Sequence, residues 1–302
     1  MFLRKKNELV GTYIDTKKKE AIKKLSKYLQ ELDEIQNSEY IIDFTKFISD
    51  PTKLIEAPKK RIKAMKKYET IYDEQRRLFR IKALRNFDDI KAGQLGGFIS
   101  KEDNLSHDGT CWVYGDAEVF GDAQVSENAK IYDHAKVYDF AKVYGEAQIY
   151  NHSRISNSAQ VYGDAIVYGD SRVYEDAKVY NRANIYSAYI CGSVQVFENA
   201  VVSYGPWIGE YAQIKGTVVV TGLAEIFGDA IVAKRGDYLV IHEWWSEHQY
   251  ITWTRSNGRY LDWPFYRTAK EFIEEGYKES IFAGNARKQI VEFVNKISEI
   301  EL

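Results

Sequence analysis

Two cysteines, four prolines and two methionines in 302 residues leave several architectures without their raw material. Cys111 and Cys191 cannot build a disulfide framework, nor a Cys-based zinc site unaided. No run approaches the roughly 20 apolar residues that cross a bilayer. The start, Met1-Phe2-Leu3-Arg4-Lys5-Lys6, lacks the apolar stretch of a signal peptide. The expectation is therefore a cytoplasmic protein without membrane contact. With 45% hydrophobic and 28% charged residues, the composition is that of a globular chain. A secreted disulfide scaffold, a membrane protein and a disordered chain are all disfavoured. Tyrosine is abundant, with 23 residues.

The net charge of −2 hides an asymmetry. Residues 1–80 carry 20 Lys/Arg against 13 Asp/Glu, whereas residues 113–233 carry 8 against 15. A basic arm on an acidic body can bind a polyanion, or dock on its own body or a neighbouring subunit. Lys-rich helical faces are most often just solvated, so nucleic acid is not the expected partner.

A unit of six residues dominates the middle: aliphatic, Tyr, two turn residues, Ala, variable. The aliphatic position is Val or Ile thirteen times from Val113 to Ile185 at strict six-residue spacing. One residue is missing between Ile185 and Ile190, and the register resumes for eight more units to Val232. A helix would scatter these residues around its axis, whereas a short strand followed by a corner keeps them on one side. Val and its second neighbour Ala then point inward, and the residues flanking Val point outward. Gly-Asp, Glu-Asn and Asn-His pairs suit the corners. Three units per triangular coil give about seven coils, and residues eighteen apart stack on one face.

This pattern resembles the hexapeptide repeat of the left-handed parallel β-helix, the fold of many acyltransferases and of γ-class carbonic anhydrases. Left-handedness is what the resemblance implies, since it departs from the usual right-handed crossover. Leu95-Gly96-Gly97-Phe98-Ile99, Asn104-Leu105-Ser106, Cys111-Trp112-Val113-Tyr114 and Trp253–Asn257 together resemble YdcK-like prophage and bacterial hexapeptide-repeat proteins. That likeness implies phage origin and no particular activity.

The stacking rule lays out the surface in advance. The first face carries Tyr114, Tyr132, Tyr150, Tyr168 and Tyr186 beside Trp112 and Ile166, an aromatic strip suited to an oligomer contact or to cross-strand stabilisation. The second carries Phe120, Tyr138 and Tyr174 beside Lys136, Arg154 and Arg172. Three cations in register next to rings suit an anionic ligand or acidic partner, against the plainer reading of a solvated ladder. The third carries Tyr144, Tyr162 and Tyr180 with Lys142 and Lys178.

The flanks read differently. Residues 1–80 form a basic helical segment: Ile22, Leu25, Leu29, Leu32 and Ile35 lie at helical spacing, Asp50-Pro51 looks like a cap, and a second amphipathic helix runs from Pro58 to about Phe79. Residues 81–112 lead into the repeats of 113–233. Residues 234–302 form an α+β cap over the open end. In it Leu239–Trp245, Tyr250–Thr254 and Tyr260–Phe265 are strands, with Asn257-Gly258 predicting a type I′ turn. Thr268 with Glu271 opens one helix, and a second starts near Asn285 with Ile290, Val291, Val294 and Ile297 as its apolar stripe.

Chemistry is sparse. His134 and His152 share one corner of adjacent coils, where a metal or general-base role competes with ordinary turn residues. The zinc-binding His triplet of the γ-carbonic anhydrases is absent, and so is a metal site of any other expected kind. His242 and His248 are six apart and do not form HExxH. Ala92–Gly97 lacks the Lys and Ser/Thr of a P-loop and reads as a turn. The resemblance to acyltransferases implies a loop leaving the coil, and no such insertion interrupts the repeats. The reading is a non-enzymatic binding protein without cofactor, acting on a host macromolecule or anionic ligand as a dimer or trimer. An acyltransferase that takes acetyl-CoA to a sugar or amine, with His134 or His152 as base, is the alternative. A structural virion component is the third.

Overall fold

The computed structural model describes residues 66–243, 249–262 and 265–299. The helices expected around Ile22–Ile35 and after Asp50 lie outside these residues. A short strand forms at each Val or Ile of the repeat, from Trp112–Val113 to Ile231–Val232. The strands stack into three parallel ladders. On the second ladder Lys136, Arg154 and Arg172 are direct neighbours, as are Val137, Ile155 and Val173 beneath them. The structure is a β-solenoid of about eight turns, followed by two C-terminal helices.

The interior follows from residue size. Each Val or Ile and each small residue two positions before it is buried, as at Ala135 and Val137 or Ala159 and Val161. β-branched side chains lose little freedom in a strand, and each contributes roughly 1.5–3 kcal/mol on burial. The alanines leave no space, so a Leu at Ala159 costs about 1–3 kcal/mol in overpacking. Ser153 and Ser171 take the small position with their hydroxyls donating to the carbonyls of Tyr150 and Tyr168. The missing residue is absorbed in the corner between Ile185 and Ile190, where Ser187 takes a φ of 46°.

The corners are the costly part, because each needs a left-handed residue. Glu127, Asp133, Asp139, Asn151, Asn157, Glu175, Glu198 and Glu210 all have positive φ. Their side chains recover the cost locally: Glu127, Glu175, Glu198 and Glu210 accept from the N–H of Gly145, Gly192, Gly216 and Gly228 in the next turn. Asp133 accepts from Asn151, which accepts from Gly169; Asp139 accepts from Asn157, which accepts from Glu175. Much of the negative charge of the body is therefore held in backbone hydrogen bonds at the corners.

The leading segment departs from expectation twice. Tyr68–Asp73 (β1) and Leu78–Ala83 (β2) form an antiparallel hairpin, not the end of a helix. The hairpin turns at Arg77, whose φ is 57°, and extends the second ladder through Leu95–Ile99 (β3). An available sheet edge outweighs the seven-residue, two-turn helical spacing of Ile71 and Leu78. Gly96 and Gly97, expected in a turn, lie in β3. A Cβ on Gly96 would sit 2.6 Å from Ile81 and one on Gly97 2.6 Å from the Ala117 carbonyl, so only glycine lets this strand lie against the first coil. β3 pairs in parallel with Glu118–Val119, and Leu105 bridges to Val125. This is the eighth turn, one more than the repeat count gives.

At the other end Tyr238–Glu243 (β4), Gln249–Thr254 (β5), Arg259–Asp262 (β6) and Phe265–Arg267 (β7) form an antiparallel sheet. The loop between β5 and β6 holds four residues, and within it only Gly258 has positive φ, so the expected type I′ turn is not formed. Asn257 instead accepts from the Thr254 hydroxyl and from the Arg259 N–H. The helix Ala269–Glu279 (α1) opens with the expected capping box of Thr268 and Glu271. The helix Ile281–Ser298 (α2) starts earlier than predicted because Ser280 caps it through the Ala283 N–H. The sheet closes the solenoid chemically: the N–H groups of Thr221, Glu225 and Ile231, one on each face of the last turn, donate to the hydroxyls of Tyr238, Thr252 and Ser256.

Candidate binding face

The three expected surfaces are all present. Both the second and the third keep exposed cations without an ion-pair partner among the described residues. Only on the second do two of them stand in direct register, since Gln160 separates Lys142 from Lys178 on the third. On the second face Lys136 pairs with Glu118 at 2.8 Å. Glu118 is also held by Arg76 at 2.8 Å, and Arg76 reaches Asp116 at 2.9 Å. Lys136 thus belongs to a local charge cluster with the β1–β2 hairpin. The next cation along, Arg154, is exposed and has no ion-pair partner among the described residues. Arg172 follows it in direct register, also exposed, with its guanidinium 5.5 Å from the Tyr189 ring centre. Two like charges held one strand spacing apart, roughly 4.8 Å, repel one another unless water or an anion lies between them.

The rings of this face are less free than the sequence implies. Tyr138 stacks on Phe120 with centres 5.0 Å apart. Tyr174 hydrogen-bonds Cys191, and burial first and this bond second push its phenol well above the usual tyrosine range. The Trp207 indole N–H also donates to Cys191 Sγ at 3.3 Å. Between Tyr138 and Tyr174 the column carries Ser156, so the row of rings is interrupted beside Arg154. The cluster of Tyr174, Cys191 and Trp207 escaped sequence reasoning, because the one-residue deletion shifts Cys191 into line with Tyr174.

The first face splits into two stacks. Tyr114 and Tyr132 lie 4.4 Å apart, but Tyr114 donates to Asp89 at 2.8 Å and is half-buried under residues 87–89. Trp112 is fully buried against Phe87, and Lys130 pairs with Asp88 at 2.6 Å. The chain itself covers this end. Tyr150, Tyr168 and Tyr186 continue as a half-exposed stack at 4.9 and 4.8 Å. Gln148, Ile166, Asn184 and Val201 run beside them, so this part of the face bears no charge.

On the third face Tyr144, Tyr162, Tyr180 and Phe197 stack at 4.8, 5.0 and 5.0 Å, each within 3° of parallel. Sequence spacing found three of these four; Phe197 lies seventeen residues after Tyr180 and is brought into line by the deletion. A groove of about 640 Å³ opens at its start, where Lys142 and the exposed Phe140 meet Lys101, Asp103 and Asp122.

His134 and His152 do stack, with ring centres 5.2 Å apart, and both are exposed. Among the described residues neither ring is hydrogen-bonded to a carboxylate or carbonyl that would fix its tautomer, as a general base requires. Among the described residues no group of three His, Cys, Asp or Glu side chains is placed to hold a metal ion. No described helix is long and apolar enough to cross a membrane. No protein-family model matches the chain, and no curated protein matches it.

Proposed function

We propose that this chain is a non-enzymatic binding protein whose second face takes an anionic ligand or an acidic partner surface at Arg154 and Arg172. The observation that carries this reading is Arg154: an exposed guanidinium without a counter-ion among the described residues, fixed in register beside a second one. Neutralising both removes their mutual repulsion, and guanidinium groups favour bidentate contact with carboxylate or phosphate. The fold behind this face is, in the same reading, a left-handed helix of the hexapeptide-repeat type. The run of thirteen Val or Ile at six-residue spacing from Val113 to Ile185, with small residues from Ala117 to Ala183 between them, supports that assignment. A phage-derived accessory protein acting in the host cytoplasm on a host factor fits the YdcK-like resemblance.

The uncharged first-face stack of Tyr150, Tyr168 and Tyr186 serves self-association, since a surface without charge offers nothing to a charged partner. A closed dimer or trimer buries it. Affinity capture from the native host, with the partner identified by mass spectrometry, tests the binding reading. Arg154→Glu should lose the captured partner while folding normally, because the side chain points outward. Acetyl transfer from acetyl-CoA to an amine or sugar, abolished by His134→Ala or His152→Ala, would replace this reading with the enzymatic one.

A further inference from the structure

At the closed start of the solenoid, a lysine amine is fully buried without a carboxylate partner among the described residues. Lys67 has no solvent exposure. Its Nζ donates to the Cys111 carbonyl at 2.8 Å, to Cys111 Sγ at 3.2 Å and to the Gly109 carbonyl at 3.5 Å. The ring of Phe87 lies 5.4 Å away. Cys111 is equally buried, with its sulfur crowded by the carbonyls of Ser106, Val125 and Asp108 at 3.5–3.8 Å. The backbone holds the pair in place. The Lys67 N–H donates to His107 Nδ1 at 3.1 Å, His107 Nε2 meets Glu102 at 2.6 Å, and the neighbouring Tyr68 ring stacks on His107 at 4.4 Å.

A methionine or leucine would fill this space at less cost, because a buried charge without a counter-ion is among the most expensive features a fold can carry. We propose that Lys67 and Cys111 are a modification site, joined on oxidation by dioxygen into a covalent N–O–S bridge. The thiol loses its hydrogen and the neutral amine loses one; an S–O and an O–N bond form. The second oxygen atom leaves as water with those two hydrogens. Sulfur and nitrogen each give up two electrons, and these four reduce both oxygen atoms. If the lysine begins as an ammonium ion, one further proton passes to solvent. Burial favours the reactive form, since it pushes Lys67 below the usual lysine range. It also keeps the thiol protonated, pushing Cys111 above its usual range. Bulky thiols cannot reach the sulfur to form a mixed disulfide, whereas dioxygen is small and apolar.

The bridge would tie β1 to the strand Trp112–Val113 across 44 residues of sequence, locking the β1–β2 hairpin onto the end of the coil. The site is independent of the second face. Its test is tryptic peptide mapping of the full chain, prepared under reducing, oxygen-free conditions or equilibrated with air and then with hydrogen peroxide. The expected result in the oxidised sample is a peptide joining Lys67 to Cys111, heavier than its two halves by one oxygen less two hydrogens. That peptide is uncleaved after Lys67 and is released by a thiol reductant after unfolding. Oxidation should also raise the melting temperature of wild type and of Cys191→Ser, but not of Lys67→Met. Normal cleavage after Lys67 in the oxidised wild type, with Cys111 either free or carried to the sulfinic acid, overturns the proposal whether or not the variant folds.

Discussion

At the scale of the residue, the corners and the last turn show how local costs are met. Asn151 holds a φ of 58° and links Asp133 to Gly169 across three turns. Asn151→Ala keeps the unfavourable backbone and removes the side-chain acceptor, so it should destabilise by about 1–2 kcal/mol. Asn151→Gly relaxes the backbone and should cost less than the Ala variant; urea unfolding of the two measures the difference. Glu225 poses the opposite problem. Its Oε2 is buried with no partner among the described residues, and burial raises its pKa above the usual glutamate value. A carboxyl raised in the folded state is best tolerated when protonated. Stability is therefore greatest below the ordinary glutamate pKa and falls as pH rises through the folded one. Glu225→Gln should raise the melting temperature at pH 7 and leave it nearly unchanged at pH 3.5. An equal shift at both pH values would show that the carboxylate is not the cause.

At the scale of the element, both ends of the solenoid are closed by parts that do not share its repeat. Each terminal N–H of the last turn meets a hydroxyl from β4, β5 or the loop after β5. Thr252 is the buried one of the three. Thr252→Val keeps the shape and orphans the Glu225 N–H, and should cost roughly 1–3 kcal/mol; Ser256→Ala, where water can replace the hydroxyl, should cost less. Chemical denaturation of both variants checks the order. The elements also show what a sequence displays and what it conceals. The coils were legible because a six-residue period states which side chains stack, and Lys136, Arg154 and Arg172 are aligned as that period requires. The β1–β2 hairpin was not legible, because Ile71 and Leu78 keep helical spacing and the edge that recruits them is built some fifteen residues later by β3. The Asn257-Gly258 turn misled because side-chain hydrogen bonds from Asn257 stabilise a longer loop. Lys67 was unreadable as a buried residue, since it lies in a lysine-rich run.

At the scale of the whole described molecule, charge is sorted by position. Acids sit at corners and cap backbone N–H groups. Near the start, acids and bases pair around Arg76, Glu118 and Lys136. Unpaired guanidinium remains in the middle of the second face, and the first face beyond Tyr132 is uncharged. Self-association through that uncharged stack predicts that Tyr168→Lys lowers the sedimentation coefficient at tens of micromolar protein. Tyr114→Ala should not, because residues 87–89 already cover Tyr114; a monomeric wild type would exclude the contact. Binding through the second face is the central claim. The affinity of the captured partner for wild type, Arg154→Glu and Lys142→Glu, measured at low and moderate salt, tests it most directly. Wild type should weaken steeply with salt, Arg154→Glu should bind at least about tenfold more weakly with a flatter salt response, and Lys142→Glu on the third face should match wild type. Equal affinity of wild type and Arg154→Glu at both salt concentrations would contradict the account.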